Sequence, residues 1–163
     1  MKYVNFCLAA ILSLALSSGS VKSDLPSKGY HPGEMIPDIV LMDSEGGSLA
    51  LNELKGKKVM LNFWASYDAQ SRATNVQLYN FLSGNNIDVT FISVSFDENL
   101  NVLERTLAMD RLENVLCYRE IKGTGSELYR NFSFRKGYRN YLIDEQGVIT
   151  AMNIDPEDLR AFL

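Results

Sequence analysis

Sulfur would give this chain its most direct chemistry, and the chain carries little of it. Cys7 and Cys117 are its two cysteines among 163 residues, and His31 is its one histidine. A thiol attacks a disulfide as the thiolate, and a second thiol close by must then resolve the mixed disulfide. Cys7 falls inside Val4–Leu16 (VNFCLAAILSLAL), an apolar run that follows Lys2 and precedes small residues at Ser17–Ser20. That layout is a secretory signal peptide. This mostly apolar run of 13 residues falls short of the roughly 20 that cross a bilayer. Cleavage after Ser20 or Ser23 leaves Cys117 as the one thiol. A lone thiol closes no intramolecular disulfide, even though export favours disulfides.

Other candidates cluster near residue 68. Asp68 precedes a helical run, where a carboxylate accepts backbone N–H bonds and faces the positive end of the helix dipole, worth roughly 0.5–2 kcal/mol. It reads as a helix cap or as a ligand-binding or acid–base group. His31 lies far off in sequence, so a histidine partner for general acid–base work is missing. Trp64 and Tyr67 come just before Asp68, either packed at a sheet edge or exposed as an aromatic binding surface. Arg135, Lys136 and Arg139, with Arg72 brought near by folding, form a local positive group in an acidic chain. It is solvated surface charge or a seat for an anion or an acidic partner. Cys117 follows Val115-Leu116 in a short predicted strand, as an inert small hydrophobe or a one-cysteine redox site.

Several classes drop out. Spaced Cys and His ligands for a metal are missing, as are phosphate-loop and dinucleotide fingerprints, so neither metal nor cofactor is expected. The 16 basic and 20 acidic residues give a net charge of −4. Removing residues 1–23 takes away Lys2 and Lys22, leaving 14 against 20 and a charge of −6. A nucleic-acid partner would want a basic stripe.

The elements that must position these residues follow from pattern. Residues 24–35 read as an exposed lead-in, and 36–163 as one domain. Val59–Ala65 (VMLNFWA) suits a strand buried on both faces. Apolar residues at 69, 73, 76, 79 and 82 predict a helix with that face inward, and Gly84 is a plausible stop. Val89–Val94 is a second strand, and Asp97 is placed to cap a helix through Leu100, Leu103 and Leu107. A short helix is predicted at Ser126–Phe132. Tyr141–Ile143 and Val148–Met152 form a hairpin around Asp144–Gly147. Asp155-Pro156 is a helix opening. The sum is an α/β domain, a mixed central β-sheet flanked by helices on both faces.

Four stretches now acquire a shared meaning: Gly33–Leu41 (GEMIPDIVL), Leu51–Ala65 (LNELKGKKVMLNFWA), Trp64–Arg72 (WASYDAQSR) and Tyr141–Ile149 (YLIDEQGVI). In this order they resemble the thioredoxin superfamily, in particular exported TlpA-like proteins related to the thiol-specific antioxidant (AhpC/TSA) group. The resemblance implies a thioredoxin-like fold and thiol–disulfide chemistry through a Cys-x-x-Cys motif at the start of the first long helix. Laid on this chain, the motif falls on Asp68-Ala69-Gln70-Ser71, and neither Asp68 nor Ser71 can exchange disulfides. The family's cis-proline position falls on Tyr138. A non-proline cis bond costs about 2.5–4 kcal/mol, so a trans bond and a reshaped loop are expected. The sequence therefore predicts an exported protein, in the periplasm of a Gram-negative bacterium, with a degenerate active site. Once its signal is cleaved it keeps no stable membrane anchor, and it binds a protein or peptide at the former active-site face. An oxidoreductase or peroxidase working through Cys117 is the rival.

Overall fold

A computed structural model describes residues 26–163. The predicted signal peptide and Cys7 lie outside the described residues. At the centre is β3 (Val59–Trp64), buried at every position, as a largely apolar run must be when both sheet faces are covered. Around it stand β4 (Thr90–Ser95), β5 (Cys117–Arg119), β6 (Asn140–Ile143) and β7 (Ile149–Met152), in the order β5-β4-β3-β6-β7. β3 runs parallel to β4, from Val59 opposite Thr90 to Trp64 opposite Ser95, and β4 parallel to β5. β6 is antiparallel to β3, and β7 to β6. The sheet is mixed, as expected. A separate small hairpin joins β1 (Val40–Met42) to β2 (Ser48–Ala50).

Side chains alternate across a strand, so β3 feeds two cores. Leu61 and Phe63 point into a core shared with Phe132, Phe134 and Tyr141. Phe63 lies 4.9 Å from Phe132 and 4.8 Å from Phe134 between ring centroids, spacings at which tilted aromatic pairs attract. On the other face Met60 packs with Leu78, Leu82 and Leu159, and Trp64 with Leu103. The helices are α1 (Ala69–Gly84), α2 (Leu100–Met109) and the short α3 (Glu127–Asn131). α1 and α2 cover the Met60–Trp64 face, while the aromatic core is closed by the chain following α3.

Four expectations change. The buried face of α1 is Ser71, Asn75, Leu78 and Leu82; Ala69 and Ala73 are exposed. The helix is turned because Asn75 finds hydrogen-bond partners on the sheet. Asp97 does not cap α2: that role belongs to Asn99, whose Oδ1 accepts from Asn101 N, while Asp97 is buried among serines. The stretch from Asp155 forms no α-helix; a short 3-10 turn at Leu159–Phe162 is anchored by fully buried Leu159. The lead-in is docked over its second half, where Gly33 N donates to Ile149 O and Ile149 N to Glu34 O, and Tyr30 meets Phe132 edge-on.

The hairpin at 144–147 forms as predicted. Asp144 Oδ1 accepts from Gln146 N and Val148 N, and Gly147 takes the positive φ of 87° that the turn needs. No helix among the described residues is long and apolar enough to cross a membrane.

Candidate functional site

β3 delivers the chain to the start of α1, the place where a helix offers unpaired amides and a positive dipole end. Asp68 occupies it. Its Oδ1 accepts from Ser71 N at 2.8 Å, a standard N-cap. Ser71 is buried, and its Oγ donates to Asp68 O and accepts from Ala65 N. Asp68 is thus a capping carboxylate and Ser71 a structural hydroxyl. Of the two readings of Asp68, the cap is realised.

Beside Asp68 runs a groove of about 410 Å³. Gln70, Ser71 and Thr74 of α1 line one wall, and Lys136 to Asn140 line the other. Asn62, Asn153 and Asp155 also reach it. Gly137 turns this second wall at a φ of 113°, a conformation that favours glycine. No cis peptide bond occurs among the described residues. Asn140 is buried and locked by a reciprocal pair of bonds with the Ile154 backbone.

Tyr138 stands at the position opposite the cap. Its hydroxyl shares a 2.7 Å hydrogen bond with that of Tyr67, which is otherwise exposed. Burial pushes both phenols up. Tyr138, which also feels the Tyr67 bond and the charges of Tyr67, Tyr129 and Asp68, is held well above the usual phenol range. Both remain protonated at neutral pH, so the pair can donate and accept hydrogen bonds but cannot act as a base there.

The predicted binding surface is only partly assembled. Trp64 is not on it: the indole is fully buried and donates Nε1–H to Ser93 Oγ at 2.8 Å. Its flat ring fills the space under α2 that an apolar strand end must cover. Arg72 turns away to Asp110, with Nε 2.7 Å from Oδ2. That carboxylate holds the guanidinium charged and keeps it out of the positive group. Arg135 is exposed outside the groove, while Lys136 and Arg139 line it. His31 is exposed in the lead-in.

Cys117 lies elsewhere, on β5. It is buried, and burial pushes its thiol up to about 11. Its nearest polar neighbours are Ser93 Oγ at 3.7 Å and Tyr118 O at 3.5 Å. A thiol in that setting is protonated at neutral pH and is a poor nucleophile.

Two sets of residues went unforeseen. Asp97, next to the site, accepts from Ser66 N, Ser66 Oγ and Ser95 Oγ, which ties the loop before Asp68 to the end of β4. Asn62 donates to Asn75 Oδ1 at 2.9 Å, and Ser93 Oγ lies 3.0 Å from the same oxygen. The lone polar residue inside VMLNFWA was the signal for this network. No group of three or more His, Cys, Asp or Glu side chains among the described residues could hold a metal.

With this geometry in place, residues 32–152 match the sequence profile of the AhpC/TSA family. The chain belongs to the AhpC/TSA family. Its fold is thioredoxin-like: the structure superimposes on a thioredoxin-like protein from Parabacteroides distasonis ATCC 8503 with a TM-score of 0.70. The two are 36% identical, with 83% of this chain and 96% of the other covered. The thioredoxin domain of a thiol-disulfide oxidoreductase from Bacteroides vulgatus, 22% identical, gives a TM-score of 0.69 over 80% of this chain and 93% of that one, a likeness of fold. The thiol-disulfide oxidoreductase ResA of Halalkalibacterium halodurans (strain C-125) is 35% identical over 66 residues. That match covers 40% of this AhpC/TSA family member and 38% of ResA, well under half of the relative's length.

Proposed function

We propose that this chain is an exported thioredoxin-like domain that binds a polypeptide without turning over disulfides, using the groove between Asp68 and Tyr138. One observation carries the reading. The helix start that would activate a thiolate is occupied by a carboxylate already committed to Ser71 N, and the one described thiol is buried on another strand. Electrons cannot cycle through a vicinal pair that is missing.

The groove supports binding on its own terms. Its lining combines amides (Gln70, Asn62) and a hydroxyl (Thr74) with the cations Lys136 and Arg139 and the carboxylates Asp68 and Asp155. Such a lining offers donors and acceptors to an extended backbone, with charge of both signs at its edges. The apolar run Val4–Leu16 supports export, and with it a place in the periplasm of a Gram-negative bacterium among envelope thiol or protein-folding processes.

Two measurements test the two halves. The mature protein should leave the rate of insulin reduction by dithiothreitol at the blank level. Acceleration that persists in Cys117→Ser overturns the non-redox half. In an NMR titration with S-carboxymethylated insulin B chain, amide signals of Gln70, Thr74 and Arg139 should move together. If they stay still at millimolar peptide, the groove is not the binding face.

A further inference from the structure

On a different edge of the molecule, Cys117 forms part of the floor of a second groove, of about 500 Å³. Leu103 and Leu107 of α2 share that floor, and Leu116 stands beside them more than half exposed. The charges around it have one sign. Asp43 and Glu45 come from the β1–β2 turn, Glu104 from α2 and Glu113 from the loop before β5; among the described residues no Lys, Arg or His lines the groove. The single salt bridge among the described residues joins Arg72 to Asp110, so none of these four carboxylates is held in a salt bridge with a described residue. Like charges facing one another across an apolar floor repel, and burying that floor under an anionic or neutral partner would leave the repulsion in place.

We infer that this groove is a second docking surface, and that its occupant is a cationic amphipathic polypeptide segment whose apolar side chains cover Leu107 and Leu116 while its Lys or Arg side chains meet Glu104 and Glu113. The complementarity is of both kinds at once: apolar floor to apolar side chains, unpaired rim carboxylates to cations. An anionic lipid surface or nucleic acid is repelled by the same rim. The surface shares no lining residue with the Asp68 groove, so the inference stands whether or not that groove binds.

The probe is an acetylated twelve-residue peptide of alternating lysine and leucine, labelled with fluorescein and followed by anisotropy against the mature protein. Saturable binding is expected. The double substitution Glu104→Gln/Glu113→Gln should weaken it roughly fivefold, as loss of two solvent-screened charges implies. The equal charge change Glu145→Gln/Asp158→Gln, remote from the groove, should leave it within about twofold. In NMR, methyl signals of Leu107 and Leu116 should shift while those of Leu78 stay. Three results overturn the inference: equal weakening by both doubles, equal affinity for a lysine–serine peptide, or unmoved Leu107 and Leu116 methyls. All four substituted residues are exposed or half-exposed, and a thermal melt monitored by circular dichroism confirms that each variant is folded.

Discussion

The start of α1 and the strand that carries Cys117 form an instructive pair. At the helix start, free amides and an aligned dipole would stabilise a thiolate, and there the chain has Asp68. On β5 it does have a thiol, but burial raises its pKa to about 11 and the neighbouring hydrogen bonds only partly offset that. One region has the activating field without the sulfur; the other has the sulfur without the field. Reactivity belongs to the combination of residue and backbone environment, and the proposed non-redox reading rests on the separation of the two in this chain.

The most demanding way to break this comparison is to restore the sulfur. Asp68→Cys/Ser71→Cys should bring insulin reduction from the blank level to at least about tenfold above it, since a helix N-terminus lowers a thiol's pKa. If the double variant stays at the blank level, the loop around Tyr138 is the limiting defect and sulfur is secondary. Next in size is Asn75→Ala. It removes the acceptor of Asn62 Nδ2 and the neighbour of Ser93 Oγ in a fully buried position. The expected loss is about 3 kcal/mol in urea unfolding; a loss under about 1 kcal/mol would mean that water replaces the amide.

The β5 side is sharpened by pH. The folded Cys117 thiol keeps its proton to about pH 11, from a reference value of 9.0, so the unfolded chain releases that proton first. Stability should therefore fall as pH rises from about 9 to about 11, by on the order of 2 kcal/mol relative to Cys117→Ala. Parallel curves for the two proteins would mean that the thiol is solvated. Asp68→Ala should cost about 1 kcal/mol, the usual worth of a cap, and Asp68→Asn less. Tyr67→Phe, at an exposed hydroxyl pair, should cost about 0.5 kcal/mol or less. A larger loss would make the Tyr67–Tyr138 bond a clasp on the groove.

Much of the fold was readable because period and punctuation agreed. VMLNFWA had no break and became the central strand, and the DEQG turn placed the last hairpin where Asp144 and Gly147 require it. Polar residues were harder. Apolar spacing pointed α1 inward along Ala69 and Ala73, yet the helix buries Ser71 and Asn75, whose partners on Ala65 and Asn62 are visible only after folding. Asp97 has the right spacing for a cap, but Ser66 and Ser95 draw it inward. Trp64 lies next to the site in sequence and beneath it in space. Alternation along a strand sends neighbours to opposite faces, and a list of nearby residues does not record which face is outward.

The chain's one tryptophan is sealed against Ser93 behind α2, without solvent contact. The native protein accordingly carries its own optical gauge. Emission should be blue in the folded state and move red as α2 lifts away, so loosening around Cys117 can be followed by intrinsic fluorescence with no label attached.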